Sequence, residues 1–337
     1  MIETVDLTRS FQSPGGDVVH AVRGIDLRVS AGETVAVLGP NGAGKSTLMR
    51  MLSTLLPPTS GRAKVVGHDV STHAPTVRQS IGYVGQGSGA GQTQRAVDEV
   101  VTQGRIYGLD RAAARHRASE LLSLLGLEHL ALRKSSTMSG GQRRRLDLAM
   151  GLVHTPSLLI LDEPTTGLDP QNRANLWDHI TAMRNETGMT VLVTTHSLDE
   201  ADLVADRIVI VDHGQIVADG TPTDLKERNV GDRLTLETAD RASATRVRTL
   251  LNNNRGTRGV TSAGQVVTAQ VKDGRAALPA AIAAAQREGI VIAAADTRAP
   301  SLDDVFLQLT GRSLRDAGTL PRSESDRPSN VVEDSIR

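Results

Sequence analysis

The stretch LGPNGAGKSTL, from Leu38 to Leu48, constrains the fold more than any other part of the chain. It follows the apolar run TVAVLG and feeds the periodic run STLMRMLSTLL, the pattern of a turn between a buried strand and a helix. Gly39, Gly44, Lys45 and Ser46 fit the spacing G-x-x-x-x-G-K-[ST]. Glycine there lets successive backbone N–H groups curl into a nest around phosphate oxygens, where a side chain would not fit. Pro40, Asn41, Gly42 and Ala43 complete the loop, and the helix behind it, with Thr47 in its first turn, points a partial positive charge at the anion. Lys45 is placed to reach the β and γ phosphates and Ser46 to offer its hydroxyl to Mg2+. The expected ligand is a nucleoside triphosphate.

Such a site needs a carboxylate at the end of a second buried strand, and LLILDEP supplies it. Asp162 is expected to bind Mg2+ through its water shell, and Glu163 to polarise the attacking water. Around these two strands the chain reads as α/β. ETVDL, GIDLRV, AKVVG and IGYVGQ are β runs, AVDEVVTQGRIYGL and ARHRASELLSLLGL are helical with stops at Gly108 and Gly126, and MTVLVTTH and DRIVIVDHGQIVADG return to strand with DHGQ as a hairpin turn. Pro57 and Pro58 are expected to close the helix after the glycine loop. From RLTLET onward the order reads βαββαβ, a ferredoxin-like unit, followed by the helix SLDDVFLQLTG. The expected domains are 1–228 with a helical insertion at about 87–150, an α+β unit at 229–312, and a disordered tail at 313–337 that has no periodic apolar face.

Lys plus Arg equals Asp plus Glu at 38 each, which removes the case for whole-protein attraction to nucleic acid or an anionic membrane. Arg143, Arg144 and Arg145 are accordingly read as a solvated helix face. There is no cysteine, so no disulfide and no thiolate metal site can form, and a reducing compartment is the simpler expectation. The N-terminal MIETVDLTRS has no apolar leader core, and no run approaches the ~20 residues that span a bilayer, so any membrane role is expected to pass through a partner.

The set TMSGGQRRRLDLAM before the DE strand, GLDP after it and VTTH one strand later resembles the ATP-binding cassette (ABC) ATPases over roughly residues 1–228. The resemblance implies a P-loop cassette with a mixed sheet core and a helical subdomain. It assigns Ser139, Gly140, Gly141 and Gln142 to the signature motif, Gln86 to the Q-loop, Asp169 to the D-loop and His196 to the switch position, with Phe11 stacked on adenine. Gln86 thereby joins Ser46 and Asp162 on the Mg2+ side. PSLDDVFLQLTGRS is similar to the end of the daunorubicin-resistance type, the ATPase subunit of bacterial drug and lipid exporters. That implies a homodimer of cassettes around two ATP, separate transmembrane permease subunits, and a place at the cytoplasmic face of the membrane. The other reading is a non-transport cassette ATPase acting on nucleic acid or ribosomes; such proteins usually carry a second cassette or a long coiled coil, neither of which is present, so no nucleic-acid partner is expected. After Gln86 the chain departs from the family, since GSGAGQTQ is small and polar where apolar or aromatic residues are usual. The C-terminal unit is expected to fold without the cassette and to serve assembly, with Leu302, Val305, Phe306 and Leu309 forming one contact face for a partner and Asp303 and Asp304 turned to another.

Overall fold

Six strands carry the phosphate loop, in the spatial order Gln215–Gly220, Arg207–Asp212, Thr34–Leu38, Thr190–Thr195, Leu158–Asp162, Ile81–Val84. All neighbours are parallel except the first pair, a hairpin. The computed structural model describes residues 1–311 apart from Pro14, Ser88 and Gln92, with Asn229 described by its backbone alone; the tail expected at 313–337 lies outside the described residues. Strands Thr34–Leu38, Leu158–Asp162 and Thr190–Thr195 are buried at every residue, as strands covered on both faces must be, and so read as unbroken apolar runs. The hairpin turn falls at His213 and Gly214, both at positive φ (46° and 80°), which matches the twist of the flanking strands.

An antiparallel sheet, ordered Val18–Ile25, Ile2–Gln12, Ser60–Val65, His68–Asp69, packs over the helix Lys45–Leu52. That helix buries Leu48, Met49, Met51 and Leu52 between the two sheets, which fixes the loop at its N-terminus. It stops at Leu52, ahead of the prolines expected to close it. Thr54 turns left-handed at φ 62°, and the N–H groups of Leu55 and Leu56 return to the Arg50 carbonyl, so local backbone geometry ends the helix before Pro57 is reached. Helices Ala96–Ile106, Arg111–Leu124 and Gly140–Leu152 lie between the strands Ile81–Val84 and Leu158–Asp162 in sequence, and Gly108 and Gly126 sit left-handed past the first two.

Further on, Thr257–Ala263, Val266–Val271, Asp232–Thr238 and Ile292–Arg298 form an antiparallel sheet in that order, with Arg241–Asn252 and Gly274–Arg287 packed on it. This is the ferredoxin-like βαββαβ arrangement. The helix Leu302–Thr310 behaves otherwise than expected. Leu302, Val305 and Phe306 are almost wholly buried within the same apolar cluster as Leu198, Ala201 and Leu225, and the helix packs on helices Leu198–Val204 and Pro222–Asn229 of the cassette side. Its apolar face is therefore occupied inside the chain and is not offered to a partner, and the cassette core is incomplete without it. Phe306→Ala is expected to destabilise the cassette by about 3 to 5 kcal/mol, the range for emptying a fully buried aromatic site. Denaturant unfolding followed at the single Trp177, which lies in the same cluster, checks it.

Candidate nucleotide site

Four strands deliver their carboxyl ends to one place. Thr34–Leu38 leads to the glycine loop, Leu158–Asp162 to Asp162 and Glu163, Thr190–Thr195 to His196, and Ile81–Val84 to Gln86. Ligands bind at this edge of open α/β sheets because the loops there are free to vary while the strands hold them.

The glycines answer to space as well as conformation. A Cβ on Gly39 would lie 2.1 Å from the Val211 carbonyl oxygen, and one on Gly44 would lie 2.2 Å from that of Ala21, with both residues at positive φ. Lys45 is almost wholly buried and donates from Nζ to the carbonyls of Gly39 and Pro40 at 2.7 and 3.0 Å. Burial pushes its ammonium below the usual lysine range, against the raising influence of Glu163 and Asp162. Such a cation has little solvent to lose when a phosphate arrives.

On the opposite wall Ser46 Oγ donates to Asp162 Oδ1 at 3.0 Å, Thr194 Oγ1 donates to the same oxygen at 2.7 Å, and the Gln86 amide reaches Ser46 Oγ at 3.0 Å. Asp162 Oδ2 is buried with no hydrogen-bond partner among the described residues. A buried, unpaired carboxylate oxygen beside a hydroxyl and an amide is a donor set suited to a hard cation. Among the described residues no group of three or more His, Cys, Asp or Glu side chains could hold a metal ion. One carboxylate suffices for Mg2+, which usually takes the rest of its shell from water and nucleotide phosphates.

Glu163 stands at φ 48°, an uncommon conformation for a residue with a side chain, and its N–H is fixed by the carbonyl and hydroxyl of Thr194 at 3.2 and 2.9 Å. The turn aims its carboxylate between Lys45 Nζ, 3.9 Å from Oε1, and His196 Nδ1, 3.7 Å from Oε2. The contact with His196 holds the Glu163 carboxyl below the usual range in spite of burial, with Lys45 acting in the same sense. The same carboxylate raises the His196 imidazole above its ordinary value. A carboxylate kept ionised beside the phosphate site can accept a proton from water.

Ser139 caps the helix Gly140–Leu152 in a capping box with Gln142, so the motif does open a helix. Gly141 has a packing reason, because a Cβ there would lie 2.9 Å from the Asn172 amide, whereas Gly140 faces open space. Asp169 caps the helix Pro170–Thr187 through the Asn172 N–H. Phe11 is 37% exposed on strand Ile2–Gln12, outside the core, with the Arg9 guanidinium 4.8 Å over its ring.

Three residues of the site were missed or misread from sequence. Arg144 is not on a solvated face: it is 8% exposed and donates to the carbonyls of Pro164, Gly85 and Asp162. Arg143 and Arg145 are half-buried, Arg145 donating to the Leu125 carbonyl. Asp147 is buried and accepts the N–H groups of Gly89 and Ala90 at 2.9 and 3.0 Å. Glu200 is buried beneath the switch position and accepts from Thr165, Thr195 and Trp177 at 3.0, 2.6 and 2.5 Å. The S-x-x-E pattern of Ser197 and Glu200 suggests an ordinary capping box; instead the Glu200 side chain joins the D-loop segment to the switch strand.

A glycine loop between strand and helix, with a buried aspartate and a glutamate–histidine pair at the ends of the neighbouring strands, is the arrangement of a nucleotide-binding cassette. A family model described as ABC transporter matches residues 22–166, and one described as ATP-binding protein DrrA1-3-like, C-terminal domain, matches residues 220–310. The chain belongs to the ABC transporter family, whose cassettes bind and hydrolyse ATP. Its similarity is to the daunorubicin-resistance type: it is 41% identical to the daunorubicin/doxorubicin resistance ATP-binding protein of Streptomyces peucetius, over 97% of each chain. It is 37% identical to the linearmycin resistance ATP-binding protein of Bacillus subtilis (strain 168), covering 88% of this chain and 95% of that one. A solved dimeric ATP-binding cassette in a post-hydrolysis state, bound to ADP and Pi, matches with a TM-score of 0.61 at 26% identity, covering 66% of this chain and 98% of that chain.

Proposed function

We propose that the chain is the energy-coupling subunit of an exporter of drugs or lipids, working as a homodimer at the cytoplasmic face of a membrane on separate permease subunits. Residues 1–228 form the catalytic cassette in this reading, and 229–312 an accessory unit that serves assembly through surfaces other than the docked face of helix Leu302–Thr310. The observation that carries it is the signature end of helix Gly140–Leu152. Ser139 is satisfied within its own capping box while Gly140 stands open, as expected if the free N–H groups serve a nucleotide held by a second copy. Among the described residues no helix is long and apolar enough to cross a membrane, so transport would require other chains.

In each closed site Lys45 and the loop N–H groups hold the β and γ phosphates, Phe11 stacks on the base, and Glu163 takes the proton of the attacking water. Mg2+, held by Ser46, Asp162 and Gln86, would neutralise charge on the phosphate oxygens. Product release reopens the pair, and the permease follows. A groove of about 460 Å³ beside Gln86, lined by Arg78, Tyr83, Gly85, Gly89, Gln103 and Tyr107, supports a place for a permease segment. Tyr107 is stacked on His154 at 3.7 Å, which gives the groove a fixed wall. Affinity purification from native membranes should recover a polytopic membrane protein, and Gln103→Trp in the groove should reduce that recovery while ATP hydrolysis by the isolated chain persists. Stoichiometric recovery of ribosomes or DNA instead would overturn the exporter reading.

A further inference from the structure

The helix Gly140–Leu152 grips the loop after strand Ile81–Val84 from both sides. Arg144 Nη1 donates to the Gly85 carbonyl at 2.5 Å, immediately before Gln86, and Asp147 Oδ1 accepts from Gly89 and Ala90, three and four residues after it. The two residues lie three apart and so share a helix face. Below them helix and strand meet without side chains between: a Cβ on Gly82 would lie 2.3 Å from the Gly151 carbonyl, and one on Gly151 would lie 3.0 Å from Val84 Cγ2. Arg144 also donates to the carbonyls of Asp162 and Pro164, either side of Glu163, at 3.3 and 2.7 Å.

The loop sequence explains why such a grip is needed. GQGSGAG offers one small apolar side chain, Ala90, which packs against the core, so its conformation has to be fixed mostly through its main chain. A buried carboxylate taking two N–H groups and a buried guanidinium taking a carbonyl on the other flank do that, and charge-assisted bonds of this kind are about twice as strong as neutral ones.

We propose that Arg144 and Asp147 are positioning residues that clamp the Gln86 loop to the signature helix, so that the helix which serves the partner's nucleotide also sets the distance between Gln86 and Ser46 in its own site. This rests on the two-copy reading of the signature motif, but the clamp itself lies within one chain. When the signature helix shifts, Gly89 and Ala90 shift with it through Asp147, and the Gln86 amide between them and Gly85 moves relative to Ser46. Closure around one nucleotide is thereby coupled to the metal side of the other.

The test compares Asp147→Ala with Asp147→Asn, which keeps an acceptor oxygen. In the nucleotide-free chain, hydrogen exchange of peptides spanning 85–91 should rise about tenfold in Asp147→Ala and stay within about twofold in Asp147→Asn. The Mg2+ concentration for half-maximal ATP hydrolysis should rise about tenfold in Asp147→Ala at unchanged nucleotide affinity, and no further when Gln86→Ala is added. If Asp147→Ala does not fold, Ala90→Pro removes one donor from the loop side and carries the same expectations. Unchanged exchange sinks the clamp, and faster exchange with an unaltered Mg2+ requirement, or additive effects of the two substitutions, sinks its link to Gln86. Neither readout uses a permease, so a failed exporter reading would leave both results interpretable.

Discussion

Replacing Glu163 with Gln should cut ATP turnover by at least about a hundredfold, the usual scale for a lost general base, while ATP affinity stays within about twofold. Gln keeps the length and one acceptor oxygen but cannot take a proton. The backbone hydrogen bonds from Glu163 to Thr194 do not involve the side chain, so the strained turn survives the change. The protein should accumulate as an ATP-bound dimer, seen by size exclusion with radiolabelled nucleotide. A second readout follows from the pairing with His196. The raised imidazole pKa means that its favourable interaction is complete below the ordinary histidine value and is lost as pH rises through the folded value. The depressed Glu163 pKa means the converse: its share is present above the ordinary carboxylate value and is lost as pH falls through the folded one. Between those limits both are charged. In Glu163→Gln the His196 titration, followed by NMR, should therefore move down towards the ordinary range. Near-normal turnover would take Glu163 out of the mechanism and turn attention to His196.

The second large effect is complementation. Lys45→Ala removes the buried ammonium from the phosphate loop, and Ser139→Arg puts a long cation where the signature helix is expected to meet the partner's nucleotide, so each homodimer should be nearly inactive. Random pairing of equal amounts makes half of the dimers mixed, each with one intact site, so the mixture should recover about a quarter of normal activity. Activity of the unaltered protein should also rise more steeply than linearly with concentration until dimers saturate. Absence of both would mean that one chain completes its own site and that the open face of Gly140 serves something else.

The glycine loop, the DE strand and the signature segment were legible because each is set by chemistry at fixed spacing: phosphate needs bare N–H groups, and glycine alone leaves room for them. The buried strands were legible from their apolar runs. What escaped was decided by tertiary context. Strand Val18–Ile25 was only grazed by the reading of GIDLRV, since its first residues are exposed and break any alternation, and its place follows from pairing with Ile2–Gln12. Arg144 looks like one charge of three on a helix, and only the approach of two strand ends, at Gly85 and at Asp162 to Pro164, makes it internal. Glu200 carries a capping pattern that its N–H honours at Ser197, while its side chain accepts instead from Thr165, Thr195 and Trp177. The face of Leu302, Val305 and Phe306 was read as a contact face for a partner, because no local pattern says whether an apolar stripe docks within its own chain or on another.

That docking has a consequence in time. During synthesis the surface around Leu198, Ala201 and Leu225 emerges from the ribosome before Phe306 exists to cover it. At roughly 5 to 20 residues per second the whole ferredoxin-like unit must be translated first, which leaves this part of the nascent chain bare for some seconds. The catalytic motifs will all have been made by then, yet the last helix decides when the cassette is finished. Nascent chains stalled before Leu302 should therefore hold chaperones, and those stalled well past Gly311 should release them.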